Sequence, residues 1–186
     1  RTYTVKAKVD LDGAPFAGAN ITLCQRGKAK YTLQQSSTED GMQVYTLPNV
    51  PYSGYKKVSG KTYSYDIYIN GKDTGYLCFL DGDQPTGSEA DIKLYCSTMY
   101  VNLTKDQAAW TGQKVVIGNG SSKYQMTDNN GRYTYLQAYD SPTPTNVHPF
   151  EIHVNDVLIR DWTDANMTEM DSTKITVTDA MKANGV

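Results

Sequence analysis

The chain contains an internal repeat, and this repeat constrains the fold more than any other feature of the sequence. Residues 9–23 (VDLDGAPFAGANITL) align without a gap with residues 103–117 (LTKDQAAWTGQKVVI). Three further pairs of matching segments follow in the same order: 30–47 with 123–136, 65–71 with 150–156, and 90–96 with 173–179. Because the four matches keep one order at a nearly constant offset, we expect two copies of one module, spanning residues 1–97 and 98–186.

Each copy shows the alternation of apolar and polar residues that is typical of half-buried β-strands. Val5, Ala7 and Val9 alternate with Lys6 and Lys8, and the same pattern recurs later in each copy. Asp-Gly and Asn-Gly pairs between these segments are signals for hairpin turns. No segment predicts a helix longer than a turn or two. The sequence therefore predicts an all-β fold of two tandem β-sandwich modules.

The apolar positions of these strands form the predicted core of each module. They are Val5, Ala7, Val9, Ile21, Leu23, Ile67, Ile69, Ile92 and Leu94 in the first module, and Val101, Leu103, Val115, Ile117, Ile152, Val154, Ile175 and Val177 in the second. Phe16 and Trp110 occupy matching positions shortly before Gly18 and Gly112. We therefore expect each of the two rings to plug the turn that joins the first two strands of its module.

The composition argues against several classes of function. The sequence has 15 tyrosines and 3 phenylalanines, and tyrosine favours the pleated, half-buried surface of a sheet. A net charge of −2 provides no basic face, so we expect no nucleic-acid partner. No apolar run approaches the ~20 residues that cross a bilayer, so we expect no membrane insertion of this fragment. The chain begins at RTYTV without a secretory signal, which indicates either a cytosolic protein or a processed piece of a longer one.

The cysteines and histidines do not suggest a metal site. Cys24, Cys78 and Cys96 are odd in number and include no CxxC pair, so they are either buried free thiols or include a Cys78–Cys96 bridge between neighbouring strands. His148 and His153 are five positions apart. On a strand they would point to opposite faces, so they could not bind one metal ion.

Catalytic and ion-binding motifs are also missing from the sequence. Residues 127–133 (TDNNGRY) superficially resemble a calcium loop, but they lack the distal glutamate and align with a hairpin turn of the first copy. There is no Gly-x-Ser-x-Gly elbow, no cysteine beside a histidine and no glycine-rich phosphate loop. We therefore expect a protein without enzymatic activity, metal or cofactor.

Four segments of the first copy carry a resemblance to a known family. They are KVDLDG (8–13), APFAGANITL (14–23), TEDG (38–41) and YDIYING (65–71). Taken together they resemble the B-type repeat of collagen-binding adhesins, and the resemblance extends more weakly to the second copy. It implies prealbumin-like, Ig-like β-sandwich modules of a bacterial protein that is secreted or attached to the cell wall.

The same resemblance makes Lys8 a candidate for covalent chemistry. In this family a lysine of the first strand often forms an isopeptide bond with an asparagine of the last strand, and Lys8 occupies the position of that lysine. The predicted last strand, 90–97 (ADIKLYCS), contains no asparagine, so Asp91 is the only alternative acceptor. In the second copy Asn102 replaces the lysine. The alternation also turns Lys8 away from the core, so we predict a solvated lysine and no crosslink.

A group of tyrosines in the first module is the predicted ligand-binding site. It consists of Tyr52, Tyr55, Tyr63 and Tyr68. Exposed rings of this kind stack on sugars or anchor a protein partner, whereas the alternative is that they cover the faces and edges of sheets. The longest insertion of the first copy, 51–63, and its counterpart at 140–149 are loop-like, and binding residues are often found in loops.

The sequence thus predicts a non-enzymatic, monomeric fragment of an extracellular bacterial surface protein. Its modules would form an adhesin stalk or present a ligand-binding surface, with a host or matrix protein or a glycan as partner. The alternative is a carbohydrate-binding accessory module of a secreted enzyme that uses the exposed tyrosines.

Overall fold

The computed structural model of the protein describes residues 1–119, 122–142, 151–161 and 175–177. These residues form strands and turns and contain no helix, so the predicted all-β class is confirmed. In chain order the strands are β1 (Thr2–Leu11), β2 (Ala14–Pro15), β3 (Ile21–Gln25), β4 (Lys28–Thr32), β5 (Gln34–Glu39), β6 (Met42–Pro51), β7 (Lys56–Val58), β8 (Lys61–Tyr63), β9 (Tyr65–Ile69), β10 (Lys72–Cys78), β11 (Glu89–Lys105), β12 (Ala108–Ala109), β13 (Val115–Asn119), β14 (Ser122–Gln125), β15 (Thr127–Asn129), β16 (Arg132–Tyr139), β17 (Glu151–Val154), β18 (Val157–Asp161) and β19 (Ile175–Val177).

The chain divides into two compact units with several sheets. The first unit comprises Arg1–Cys96 and Ala138–Ser141, and the second comprises the described residues of Ser97–Gln137 and Pro142–Val186. One sheet has nine strands: its order is β15–β16–β11–β1–β6–β5, with β2 paired to β1 and with β12 and β19 paired to β11. This sheet is continuous through residues 96–100, so the expected separation into two sandwiches is not confirmed. The first unit also has a sheet of order β4–β3–β9–β10, and the second has a sheet of order β14–β13–β17–β18. Several sheets of this kind are consistent with β-sandwich architecture.

The cores agree closely with the apolar periodicity of the sequence. All predicted core residues of the first module are buried except Ile92, which is half-buried. In the second unit the buried residues include Val101, Leu103, Val115, Ile117, Ile152 and Val154. The side chains of Ile175 and Val177 lie outside the described part of the chain. The period-two alternation therefore identifies the buried face of β1, whereas β3 and β9 bury consecutive residues and do not alternate.

Strand β11 differs from the expectation of a junction near residues 97–99. It runs from Glu89 to Lys105 without a break, so the predicted boundary between residues 97 and 98 falls inside a strand. The parity of the buried positions changes here: Leu94 and Cys96 are buried, and then Ser97 and Met99. A change of parity moves the buried side chains to the opposite face without interrupting the extended backbone, which explains why the sequence shows no turn.

A buried tyrosine ties the loop that follows β1 to the core of the first unit. Tyr45 is 1% exposed, and its hydroxyl accepts a hydrogen bond from the backbone N–H of Ala19 at 2.9 Å. The same hydroxyl donates a hydrogen bond to the backbone oxygen of Phe16 at 2.5 Å. The loop therefore obtains two of its hydrogen bonds from one side chain, although sequence analysis did not single out this tyrosine.

Tyr133 makes the same two hydrogen bonds in the second unit. Its hydroxyl accepts from the backbone N–H of Gln113 and donates to the backbone oxygen of Trp110, both at 2.9 Å. Trp110 packs against the core of this unit but is only partly buried, and Phe16 is likewise half-buried. The predicted equivalence of Phe16 and Trp110 is thus confirmed in their backbone bonds, whereas neither ring is the fully buried plug that was expected.

Candidate functional site

The first unit holds its first strand and its last strand side by side and parallel. β1 and β11 are in register from Thr4 opposite Glu89 to Leu11 opposite Cys96. Beyond these pairs, the backbone N–H of Thr4 donates to the oxygen of Ser88 at 3.0 Å. At the rise of about 3.3 Å per residue of a parallel strand, the ladder is roughly 25 Å long. The chain therefore enters at one end of this ladder and leaves at the other.

The described part of the second unit contains the corresponding parallel pair. β11 and β19 are in register from Val101 opposite Ile175 to Leu103 opposite Val177. The loop bonds also correspond, because Phe16 N donates to Val9 O as Trp110 N donates to Leu103 O. Both units thus place a first strand beside a later parallel strand.

Lys8 lies on the polar face of β1, as predicted, but it is not a free solvated residue. Its side chain is 14% exposed, and its Nζ lies 3.0 Å from Asp40 Oδ2 and 3.1 Å from Glu39 Oε2. The hydrogen bonds that the Lys8 amine donates to Asp40 and then to Glu39 raise its pKa. Lys6 shares the cluster, since its Nζ lies 3.0 Å from Glu39 Oε2. Alternation reveals the face of a strand but not the acids that a neighbouring hairpin brings to it.

This arrangement works against nucleophilic chemistry at Lys8. An amine attacks a carboxyl or amide group only when it is neutral, and the raised pKa keeps this amine protonated. In the parallel ladder Lys8 stands opposite Lys93, whereas Asp91 stands opposite Lys6. Asp91, the acceptor considered from the sequence, is itself exposed. An isopeptide bond requires the opposite conditions: a desolvated lysine and a facing acceptor.

The four predicted tyrosines have different surroundings. Tyr52 is 37% exposed, and its ring lies over Gly82, where an added Cβ would come within 3.4 Å of Tyr52 Cζ. Tyr55 is half-buried, and its hydroxyl accepts a hydrogen bond from the backbone N–H of Arg26 at 2.8 Å. Tyr68 is also half-buried, and burial raises the pKa of its phenol. Tyr52 is thus the only exposed member of the group.

Tyr63 belongs to a surface cluster that sequence analysis missed. Its ring meets the ring of Phe79 edge to face, with the centroids 5.7 Å apart. Phe79 is 40% exposed, and Lys61 Nζ lies 5.8 Å from the centroid of its ring. The signal for this cluster in the sequence was weak, because Phe79 follows a strand and precedes a turn, where single apolar residues are common.

The insertion at 51–63 is an ordered hairpin and not an open loop. β7 and β8 pair from Lys56 opposite Tyr63 to Val58 opposite Lys61. The preceding residues are tied to β3, since Gln25 Nε2 donates to Ser53 Oγ at 2.9 Å, and to the residue before β9, since Ser53 N donates to Ser64 Oγ at 3.0 Å. The counterpart insertion at 140–149 lies mostly outside the described residues.

The three cysteines are buried free thiols, so the Cys78–Cys96 bridge does not form. Burial raises the pKa of Cys78 and of Cys96 to about 12 each. A thiol with this pKa stays protonated near neutral pH, so neither cysteine is a nucleophile or a good metal ligand.

The segment that superficially resembled a calcium loop is a hairpin turn. Asp128 accepts hydrogen bonds from the backbone N–H of Gly131 at 2.8 Å and of Gly112 at 2.7 Å, and these bonds lower the pKa of its carboxyl. Asn130 and Gly131 have φ values of 54° and 85°, as an Asn-Gly turn requires.

His153 Nε2 lies 4.0 Å from Glu151 Oε2, and His148 lies outside the described residues.

The part of the chain that the structure describes contains no group of three or more histidine, cysteine or acidic residues able to hold a metal ion. None of its elements is a helix long and apolar enough to cross a membrane. These two observations concern the described ranges alone.

A cavity of about 410 Å³ opens beside the last strand of the first unit. Its lining includes Tyr3, Leu77, Phe79, Ala90 and Ile92. Tyr3 is 2% exposed, and its hydroxyl has no hydrogen-bond partner among the described residues. Ile92 lines this cavity, which is why it is only half-buried and not part of the closed core.

Comparison of the chain with models of protein families, with curated proteins and with solved structures finds no match. The resemblance to collagen-adhesin repeats therefore rests on the sequence segments alone and stays a prediction.

Proposed function

We propose that the chain consists of two tandem β-sandwich modules with prealbumin-like, Ig-like topology and that it serves as a load-bearing stalk of a bacterial surface protein. The chain is non-enzymatic and acts outside the cell, either as the stalk or by presenting a ligand-binding surface to a host or matrix protein or a glycan. The repeat in the sequence and the corresponding loop bonds of Tyr45 and Tyr133 support the two modules. The buried, protonated thiols argue only against a cysteine nucleophile.

The observation that carries the proposal is the parallel pairing of β1 with β11. When a chain is pulled at both ends of such a module, the two strands slide along each other, and the bonds of the ladder are loaded together. When the strands are pulled apart from one end, the bonds break one after another. A stalk that transmits force needs the first arrangement, and the register from Thr4–Glu89 to Leu11–Cys96 provides it.

Single-molecule force spectroscopy on the full chain tests this directly. One handle is placed at Arg1, and the other is placed either at Ser88→Cys or at Thr98→Cys, which lie at opposite ends of the β11 half of the ladder. We expect a markedly higher unfolding force for the Arg1–Thr98 pair, because that pair loads the ladder in shear. Equal forces for the two pairs would remove the basis of the load-bearing proposal.

The cluster of Tyr63 and Phe79 favours a second candidate function, carbohydrate binding by an accessory module. An exposed aromatic ring with a lysine beside it is suited to stacking on a sugar ring. Pull-down with insoluble polysaccharides tests this candidate, with Phe79→Ala and Tyr63→Ala as variants and Tyr124→Ala, at an exposed tyrosine of the second unit, as a control. Binding that both variants lose and the control retains would favour the accessory module over the stalk.

A further inference from the structure

Among the described residues, the segment Glu89–Lys93 of β11 pairs along one of its two edges only. Thr4 N donates to Ser88 O, and Asp12 N donates to Cys96 O, so the backbone groups of the even-numbered residues of this segment face β1. In a parallel ladder the residues between them direct their N–H and C=O groups to the other side. These residues are Glu89, Asp91 and Lys93. β16 neighbours β11 on that side farther along the strand, near Leu103, and within the described ranges the ladder pairs of Glu89–Lys93 are all with β1. We name this segment the docking edge.

The cavity of about 410 Å³ lies along the docking edge. Glu89, Ala90, Asp91 and Ile92 form one wall, and Leu77 and Phe79 contribute to its lining from the end of β10 and beyond. A strand that paired with the docking edge would therefore place every second side chain into this cavity. Phe79 is 40% exposed there, so the added side chains would cover an apolar ring that is now in contact with water.

The charges at the docking edge select the other side chains of such a strand. Glu89, Asp91 and Lys93 are exposed on the same face of β11, so two acids outnumber one lysine there. On its opposite side, β11 already pairs with β1, where Lys6 stands opposite Asp91 and Val5 stands opposite Ala90. The segment thus accepts a strand in which apolar residues alternate with lysine. Oppositely charged pairs across strands stabilise such pairing.

The Tyr3 hydroxyl is a second, independent feature that points to a ligand. Tyr3 lines the cavity, is 2% exposed and has no hydrogen-bond partner among the described residues. A buried polar group of this kind is normally satisfied, and an incoming peptide backbone carries the donors and acceptors that would satisfy it.

We propose that the docking edge binds an extended segment of another protein by strand addition, and that this segment alternates apolar residues with lysine or arginine. The backbone of Glu89–Lys93 supplies the hydrogen bonds, the cavity takes the apolar side chains, and the acidic residues take the basic ones. This site is independent of the load-bearing role, because the ladder with β1 uses the other side of the same segment.

A labelled peptide with the sequence of residues 2–9, TYTVKAKV, is the probe, because β11 accepts this sequence on its other side. Its binding to the full chain is measured by fluorescence polarisation. Two further peptides are methylated on their backbone nitrogens, one at the odd-numbered residues and the other at the even-numbered residues. Each of them therefore loses the backbone N–H donors along one edge of the strand. We expect one methylated peptide to bind as the parent does and the other to bind about tenfold or more weakly, since it loses several hydrogen bonds.

The remaining outcomes of this experiment would overturn the proposal. Absence of binding by the parent peptide, or equal binding by all three peptides, would show that the backbone of the edge is not used. Loss of binding by both methylated peptides would show that the peptide replaces β1 in the sheet. A strand in the place of β1 pairs along both of its edges, with β6 and with β11, so it needs the donors of both edges.

Two substitutions of Asp91 separate backbone pairing from charge attraction. Asp91→Pro removes an N–H that points away from β1, so it blocks the docking edge and spares the ladder. Asp91→Asn removes only the charge, and an exposed charge pair accounts for about two- to fivefold in affinity. We expect loss of binding for Asp91→Pro and the smaller effect for Asp91→Asn. Equal losses, or competition by N-acetyl-lysine methylamide, would indicate a site for amines and would refute strand addition.

Discussion

Removal of the Tyr45 hydroxyl tests the loop anchor of the first unit. The substitution Tyr45→Phe keeps the buried ring and deletes one oxygen, so it creates almost no cavity. That oxygen accepts one hydrogen bond from Ala19 N and donates another to Phe16 O. A buried hydrogen bond contributes about 1 kcal/mol, so two lost bonds predict a decrease of about 2 kcal/mol in the free energy of unfolding.

Urea unfolding followed by circular dichroism measures this decrease. We expect a lower midpoint with an unchanged slope, because the substitution alters stability and leaves the exposed surface of the unfolded chain nearly the same. The matched control is Tyr63→Phe in the same unit, because the hydroxyl of Tyr63 makes no hydrogen bond to the described residues. Its expected change is below about 0.5 kcal/mol.

A Tyr45→Phe effect as small as that of the control would refute this reasoning. It would mean that water satisfies Ala19 N and Phe16 O when the hydroxyl is absent. The corresponding substitution, Tyr133→Phe, should cost a similar amount in the second unit, because both of its hydrogen bonds are also present.

Three further predictions concern the ionisable groups. The intact mass of the reduced protein should match the uncorrected sequence, whereas loss of one ammonia or one water would reveal a crosslink from Lys8 to an asparagine or to Asp91. The pKa values of Glu39 and Asp40 are lowered, so these carboxylates stabilise the fold at pH values above their ordinary pKa values of 4.5 and 3.8, and this stabilisation is lost as the pH falls. The pKa of Lys8 is raised, so its ammonium group stabilises the fold at pH values below its ordinary pKa of 10.5, and this stabilisation is lost as the pH rises. The difference in urea midpoint between the wild type and Lys8→Met should therefore be largest between roughly pH 5 and pH 10, and a difference that persists at pH 2 would contradict the ion-pair assignment. A thiol reagent at pH 8 should leave all three cysteines unmodified in the folded protein and modify them in urea, and fast modification without urea would contradict their burial.

Parts of the fold follow from the sequence because they depend on local spacing. The alternation of Val5, Ala7 and Val9 with lysines identified the buried face of β1, since successive side chains of a strand point to opposite sides. The Asn130–Gly131 pair identified a turn, since both residues tolerate positive φ. These properties require knowledge of only a few neighbouring residues.

The candidate sites depend on which strands become neighbours, and the tertiary structure alone decides this. The sequence placed Lys8 on a polar face, but only the hairpin of β5 and β6 brings Glu39 and Asp40 to its amine. The sequence also contained no sign that β11 would run through the predicted junction, or that Glu89–Lys93 would pair along one edge only among the described residues. Strand pairing joins residues that are far apart in the chain. The alternation of apolar and polar residues shows which face of a strand a residue lies on, but it does not show which strand lies beside it.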